Sequence, residues 1–228
     1  MISKVNEMFI MLSHVLREGD PAFGREVSLK IHQRSSFETG VCQTYLLELG
    51  NHDGTHIDAP NHFNPNGRPI ADFSPDELVF RSPKVLDIPK EGPSLIELDE
   101  IKGFGDLSGH DMLLIRTGYA RIRSKDPQKF SHRSPCLSPD AASFIVEELR
   151  EVRCVGVDCV SVGSPAFPEE TVRTHRILTG YEGYGSRYVL IVEDMNLDQD
   201  LSRLKRVIVV PLFVEGVDST PCTVLGEV

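Results

Sequence analysis

Seven short apolar runs, most of them rich in β-branched residues, recur along this chain and leave little room for a helical fold. They are Phe9-Ile10-Met11-Leu12, Tyr45-Leu46-Leu47, Val85-Leu86-Asp87-Ile88, Met112-Leu113-Leu114-Ile115, Val155-Gly156-Val157, Tyr188-Val189-Leu190-Ile191-Val192 and Val207-Ile208-Val209-Val210. Each is short for a helix and reads as a strand. Several are apolar on consecutive residues, which predicts strands buried on both faces. Helix signals are fewer. Ser138-Pro139-Asp140 combines an N-cap, a proline at the first helical position and an acid in the first turn. Ala142, Ile145, Val146 and Leu149 then form one apolar stripe. Ser94-Leu95-Ile96-Glu97 has capping-box spacing ahead of a short helix ending near Gly103, and residues 169–178 read as a third helix. The expectation is a mixed α/β chain, richer in strand than helix.

The chain has 228 residues, enough for one sizeable domain with a real core. No repeat, low-complexity tract or linker divides it, so a single domain over residues 1–228 is expected. The net charge of −10 argues against a nucleic-acid or anionic-membrane surface. No apolar run approaches the ~20 residues of a membrane span. Residues 1–7 lack the basic-then-apolar pattern of a signal peptide. Cys42, Cys136, Cys154, Cys159 and Cys222 are odd in number and scattered, with no CxxC pair. They read as reduced thiols in a cytoplasmic protein, and a thiolate metal site is not expected.

Chemistry concentrates in one segment. Residues 52–62 hold His52, His56 and His62 together with Asp53 and Asp58. Imidazole and carboxylate bind zinc, manganese or iron(II) without thiolates. In an extended chain His56 and Asp58 point the same way. Asp53-Gly54 is a turn pair that can fold His52 back beside His56. His62 is then either a further ligand or a nearby acid/base group. The zincin pattern H-E-x-x-H does not fit, because no glutamate follows His52 and Gly54 and Pro60 oppose a helix. The competing reading is a polar surface loop with capping Asp and Asn side chains.

Gly54-Thr55-His56-Ile57-Asp58-Ala59-Pro60-Asn61-His62-Phe63, preceded by His52, resembles the signature of the putative cyclase family, which includes bacterial kynurenine formamidase and isatin hydrolase. The resemblance extends over most of the chain. Leu12-Ser13-His14 with Pro21-Ala22-Phe23-Gly24 is similar to the family's opening segment, and Leu114-Ile115-Arg116-Thr117-Gly118 to its central strand. Gly156-Val157-Asp158-Cys159-Val160-Ser161-Val162 and Gly216-Val217-Asp218-Ser219-Thr220-Pro221 are similar to later segments. His175-Arg176-Ile177-Leu178 and Ile191-Val192-Glu193-Asp194-Met195-Asn196-Leu197 fit the second ligand region. Two departures stand out: residues 180–185 lengthen the gap between His175 and Glu193, and the chain has no Trp to set against a substrate ring.

The resemblance implies a swivelling β/β/α-type domain, with a strand-rich, barrel-like core and helices packed outside. It implies one or two divalent ions, zinc or manganese. His52, His56, Asp58 and Glu193 would hold one, while Asp58, His175 and Glu193 would hold a second. It makes His62 the acid/base group. The expected reaction is attack of metal-activated water on the carbonyl of a small carboxamide, N-formyl amide or cyclic amide. A lactone or ester hydrolase, or a non-catalytic metal-stabilised binding protein, would use the same residues. The expected partners are a small-molecule carbonyl substrate and further copies of the chain, as a dimer or tetramer.

Overall fold

A nine-stranded sheet, curled into a nearly closed barrel, organises the chain in the computed structural model, which describes residues 8–181, 183 and 187–228. Its strands are β1 (Phe9–Met11), β2 (His56–Asp58), β3 (Val79–Phe80), β4 (Pro83–Asp87), β5 (Met112–Arg116), β6 (Cys154–Val157), β7 (Leu190–Glu193), β8 (Arg206–Pro211) and β9 (Ser219–Glu227). The order is β3-β8-β9-β2-β7-β6-β5-β4, with β1 on β9. Strands β4 to β7 are parallel neighbours. The others pair antiparallel. Parallel strands need long crossovers, and these carry the helices α1 (Leu98–Lys102), α2 (Pro127–His132), α3 (Pro139–Glu147) and α4 (Pro168–Leu178).

Alternation along the parallel strands separates two cores. Leu113, Ile115, Val155, Val157 and Ile191 face outward, against Ile101 of α1, Ala142, Ile145 and Val146 of α3, and Ile177 and Leu178 of α4. Met112, Leu114, Leu190 and Val192 face inward, against Ile57, Val207, Val209 and Val224. Both faces of β6 and β7 are buried, as their unbroken apolar runs predict. Gly156 is needed on the inner face, because a Cβ there would lie 2.5 Å from the Met195 sulfur and 2.8 Å from Leu114. Leu114 is fully buried, so Leu114→Ala would cost about 2–5 kcal/mol.

Local signals held where tertiary pairing did not compete. Ser138 caps α3 by accepting from the Ala141 N–H, with Pro139 leading the helix. The helix expected to start at Ser94 starts later. Leu95 and Ile96 pair in parallel with Cys136 and Leu137. Glu97 then becomes the cap, closed by Glu100. Sheet pairing across forty residues overrides the local spacing. Tyr45-Leu46-Leu47 is also a strand, though not a buried one. Among the described residues Thr44–Glu48 pairs only with Lys30–Ser35, and the hairpin leaves Ile31, Tyr45, Leu46 and Leu47 exposed. Helix α2 had no periodic signal; Asp126 caps it and Pro127 opens it.

Candidate metal centre

Strand β2 builds half of the site. Gly54, at φ +67°, turns the chain so that His52 comes back over the strand, with its ring 5.1 Å from that of His56. A residue with a Cβ would be strained at that φ and would also strike Leu16. Asp53 fixes the turn from inside, accepting the N–H groups of Gly50 at 2.9 Å and Ser28 at 2.7 Å. His56 and Asp58 then share one face of β2, as their spacing predicts. Directly after the strand, a short 3-10 turn led by Pro60 brings His62 back, and its Nε2 lies 3.9 Å from Asp58 Oδ2.

The second half comes from β7 and α4. In the antiparallel register Glu193 stands opposite His56, and such residues project to the same side. His56 Nε2 lies 3.3 Å from Glu193 Oε2. Helix α4 crosses this face and brings His175 Nε2 to 3.5 Å from Glu193 Oε1. The structure therefore brings together all six predicted side chains: His52, His56, Asp58, His62, His175 and Glu193. Asp58, His56, His175 and Glu193 are buried. A cavity of about 250 Å³ opens over them, lined by His52, His56, His62, His175 and Glu193 with Phe23 and Phe63. Phe63 stacks on His175 at 4.6 Å between ring centres.

Each imidazole is tethered through one nitrogen. His56 Nδ1 donates to Gly54 O and His175 Nδ1 to Thr171 O, both at 2.7 Å. His52 Nε2 donates to Asp218 Oδ2 at 3.0 Å. The other nitrogen of each is left to face the carboxylates. Anchoring of one ring nitrogen so that the other is presented as a lone pair is the arrangement of metal-bound histidine. The carboxylates are prepared unequally. Glu193 Oε1 accepts from Ser161 Oγ at 2.7 Å and Val162 N at 2.8 Å. Both oxygens of Asp58, and His56 Nε2, are buried without a hydrogen-bond partner among the described residues. Orphaned buried groups of this kind carry a free-energy penalty unless a cation satisfies them. This donor set of imidazoles and carboxylates therefore fits a divalent transition metal. Asp58 groups with His52 and His56 and also with His62 and His175, and His52 groups with His62 and Asp218, each set within 4.8 Å.

Electrostatics agree. Burial acts to lower the His52 pKa, but the Asp218 and Asp58 carboxylates outweigh it and raise it to about 10. His56 and His175 are raised in the same way, burial being outweighed chiefly by Glu193. Burial acts to raise Glu193, but the adjacent His175 and His56 imidazoles hold it well below the usual carboxylate range. The site is thus an anionic pocket that draws positive charge.

Asp218 was not predicted to act here. It precedes β9, whose Ser219 pairs with Asp58, and this brings Asp218 beside the first ligand turn. Asp218 Oδ2 accepts from His62 Nδ1 at 2.6 Å as well as from His52. Asn51 Nδ2 donates to Asp218 Oδ1 at 2.8 Å and keeps the carboxylate in place. Its only sequence signal was membership of the Gly216–Pro221 segment, which carried no role. Of residues 180–185, Glu182, Tyr184 and Gly185 lie outside the described residues. At the start of that segment Asn64 Nδ2 donates to Gly180 O at 3.0 Å.

Comparison with known proteins gives concordant results. Residues 10–164 match the model of a family described as Putative cyclase. A kynurenine formamidase of Bacillus cereus is 30% identical over 204 residues, covering 89% of this chain and 86% of its own length. Isatin hydrolase A from Labrenzia aggregata superposes with a TM-score of 0.81 at 21% identity, over 100% of this chain and 96% of that one. Isatin hydrolase A from Ralstonia solanacearum gives 0.80 at 19% identity, over 100% and 94%. The fold is that of the isatin hydrolases.

Proposed function

We propose, from the premise that this chain belongs to the Putative cyclase family, that it is a metal-dependent hydrolase of small amides. The substrate class is a carboxamide, an N-formyl amide or a cyclic amide. The observation that carries this reading is the buried Asp58, whose two partnerless oxygens sit among His52, His56 and His62 beneath an apolar-walled cavity. The relative named as a formamidase supports the carbon–nitrogen bond as the one cleaved.

His52, His56, Asp58, His175 and Glu193 would hold the metal, zinc or manganese, as one ion or two. A divalent ion bound there would polarise the carbonyl and lower the pKa of a water molecule toward about 7. His62 is the proton carrier. Asp218 accepts from its Nδ1 and so leaves Nε2 toward Asp58 and the cavity. His62 Nε2 takes the proton from attacking water and returns it to the leaving nitrogen. Phe63 and Phe23 give an apolar wall for the part of the substrate that does not react. The same wall limits water near the reacting carbonyl.

The fold is proposed as one domain, and a second copy of the chain as its partner. The hairpin of Lys30–Ser35 and Thr44–Glu48 supports the latter, because Ile31, Tyr45 and Leu47 form an uncovered apolar face. Among the described residues no helix is long and apolar enough to cross a membrane.

The test combines metal analysis with a panel of N-formyl anilines, cyclic imides and lactones. The expected result is one or two equivalents of transition metal and turnover of an amide in the panel. Chelation should abolish that turnover and zinc or manganese restore it. His62→Gln should keep the metal and lose about 10²- to 10⁴-fold in kcat. Protein without transition metal, together with amidase activity surviving Asp58→Ala, would refute the reading. Turnover of lactones alone would move the assignment to ester hydrolysis.

A further inference from the structure

Next to the candidate ligands, at the ends of the same two strands, lies a buried polar tie. Thr55 directly precedes β2 and Asp194 directly follows β7; the Asp194 carboxylate turns to Arg123 and not to the candidate ligands. The Thr55 hydroxyl donates to the Asp194 carbonyl and accepts the His14 N–H at 2.9 Å. Asp194 is the one non-glycine at positive φ among the described residues, at +50°. The pairing breaks at this point. Partner numbers rise together along β6 and β7, from Cys154–Leu190 to Gly156–Val192. Beyond Glu193 they cross: Asp194 N donates to Cys159 O, yet Met195 N donates to Val157 O.

The kink ends β7 at Glu193 and sets its carboxylate against Ser161 and Val162 instead of carrying the strand onward. Arg123 grips the side chain of the kinked residue. Its Nε donates to both Asp194 oxygens, at 2.8 and 3.0 Å, and a second guanidinium nitrogen reaches Asp20 at 3.0 Å. Asp194 and Arg123 are 2% and 4% exposed, so neither charge has water to fall back on. A left-handed L-residue and a buried ion pair are both unfavourable features, and both are kept at the residue next to a candidate ligand. Arg123 does not line the cavity over the ligands. We infer that Arg123 is a positioning residue: through Asp194 it fixes the aim of Glu193 and so sets the metal affinity of the centre. The inference rests on the proposed role of Glu193 as a metal ligand.

Arg123→Met tests it, compared with Arg123→Met/Asp194→Gly. The double variant removes the stranded carboxylate and tolerates the positive φ, so it keeps the test open should the single variant fold poorly. Cobalt(II) titration of the metal-free proteins reads affinity, the visible spectrum of the loaded proteins reads ligand geometry, and melting of the metal-free proteins reads stability. The expected result is wild-type binding of cobalt, with a folded double variant about 10- to 100-fold weaker and spectrally altered. A folded double variant that binds cobalt like wild type, with an unchanged spectrum, overturns the positioning role. Failure of both variants to fold assigns the pair to stability alone and overturns it too. Failure of the wild type itself to bind cobalt, zinc or manganese instead removes the ligand reading of Glu193, and this inference with it.

Discussion

Replacing Asp58 by asparagine should make the metal-free protein more stable at a pH high enough to leave the neighbouring imidazoles neutral, while it destroys the metal site. Asp58 is 1% exposed, and neither oxygen has a hydrogen-bond donor among the described residues. Its neighbours are His52 Nδ1 at 3.1 Å, His56 Nε2 at 3.6 Å and His62 Nε2 at 3.9 Å. Without a cation, a buried carboxylate so placed is relieved only where those imidazoles take up protons. Asparagine keeps the shape, drops the charge and brings an N–H₂ that can donate to an imidazole lone pair. With the imidazoles neutral, leaving a buried polar group unsatisfied costs about 1–3 kcal/mol, so a gain of about 1–2 kcal/mol is expected there; at lower pH, where His52 carries a proton that Asp58 stabilises, the variant loses that pairing instead. At roughly 2–4 °C per kcal/mol for a chain of this size, the metal-free Tm should rise by about 2–8 °C. Metal reverses the order. At a hundredfold excess over its Kd, an ion stabilises wild type by about 2.7 kcal/mol, which is lost in the variant. Differential scanning calorimetry with and without chelator reads both quantities. A metal-free Asp58→Asn that melts several degrees below wild type even with the imidazoles neutral would show that the carboxylate holds the fold together, and the reasoning from its orphaned oxygens would fail.

Two further outcomes follow from other parts of the structure. His52 has its pKa raised from 6.5 to about 10 in the metal-free protein, so its stabilising contribution is full below pH 6.5 and is lost as pH rises toward 10. Metal-free Tm should therefore fall over that window more steeply than in His52→Gln, while apparent metal affinity rises with pH as protons leave; parallel pH profiles for the two proteins would contradict this. Leu47 is 58% exposed on the hairpin, so Leu47→Glu should leave Tm nearly unchanged yet shift light-scattering mass from oligomer to monomer. A wild type that is already monomeric would remove the second copy as partner.

The clustering of His52, His56 and Asp58 at β2 was legible in the sequence because its geometry is local. His56 and Asp58 share a face by strand alternation, and Asp53-Gly54 returns His52 by turn chemistry alone. His175 and Glu193 needed the family resemblance, since a histidine on α4 and an acid ending β7 announce nothing by themselves. Asp218 was not legible, because only the pairing of Ser219 with Asp58 makes it a neighbour of His52 and His62. Nor was the Arg123–Asp194 tie, which joins residues 71 apart and shows itself through a positive φ that sequence does not encode. The same limit moved the cap of α1 from Ser94 to Glu97, where a two-residue bridge to Cys136 and Leu137 took precedence over local spacing.

The position of β2 also dictates when the centre can exist. The strand lies between β7 and β9, the latter the last element of the sheet in chain order. As a polypeptide emerges from the ribosome, His52, His56 and Asp58 are therefore made long before either neighbour of their strand. Until residues 219–227 dock, one edge of β2 has no ladder and Asp218 has not reached the histidines. Pairings this distant in sequence form late and slowly. Metal uptake at the proposed centre during refolding should thus report docking of residues 219–227 onto β2 rather than collapse of the earlier strands.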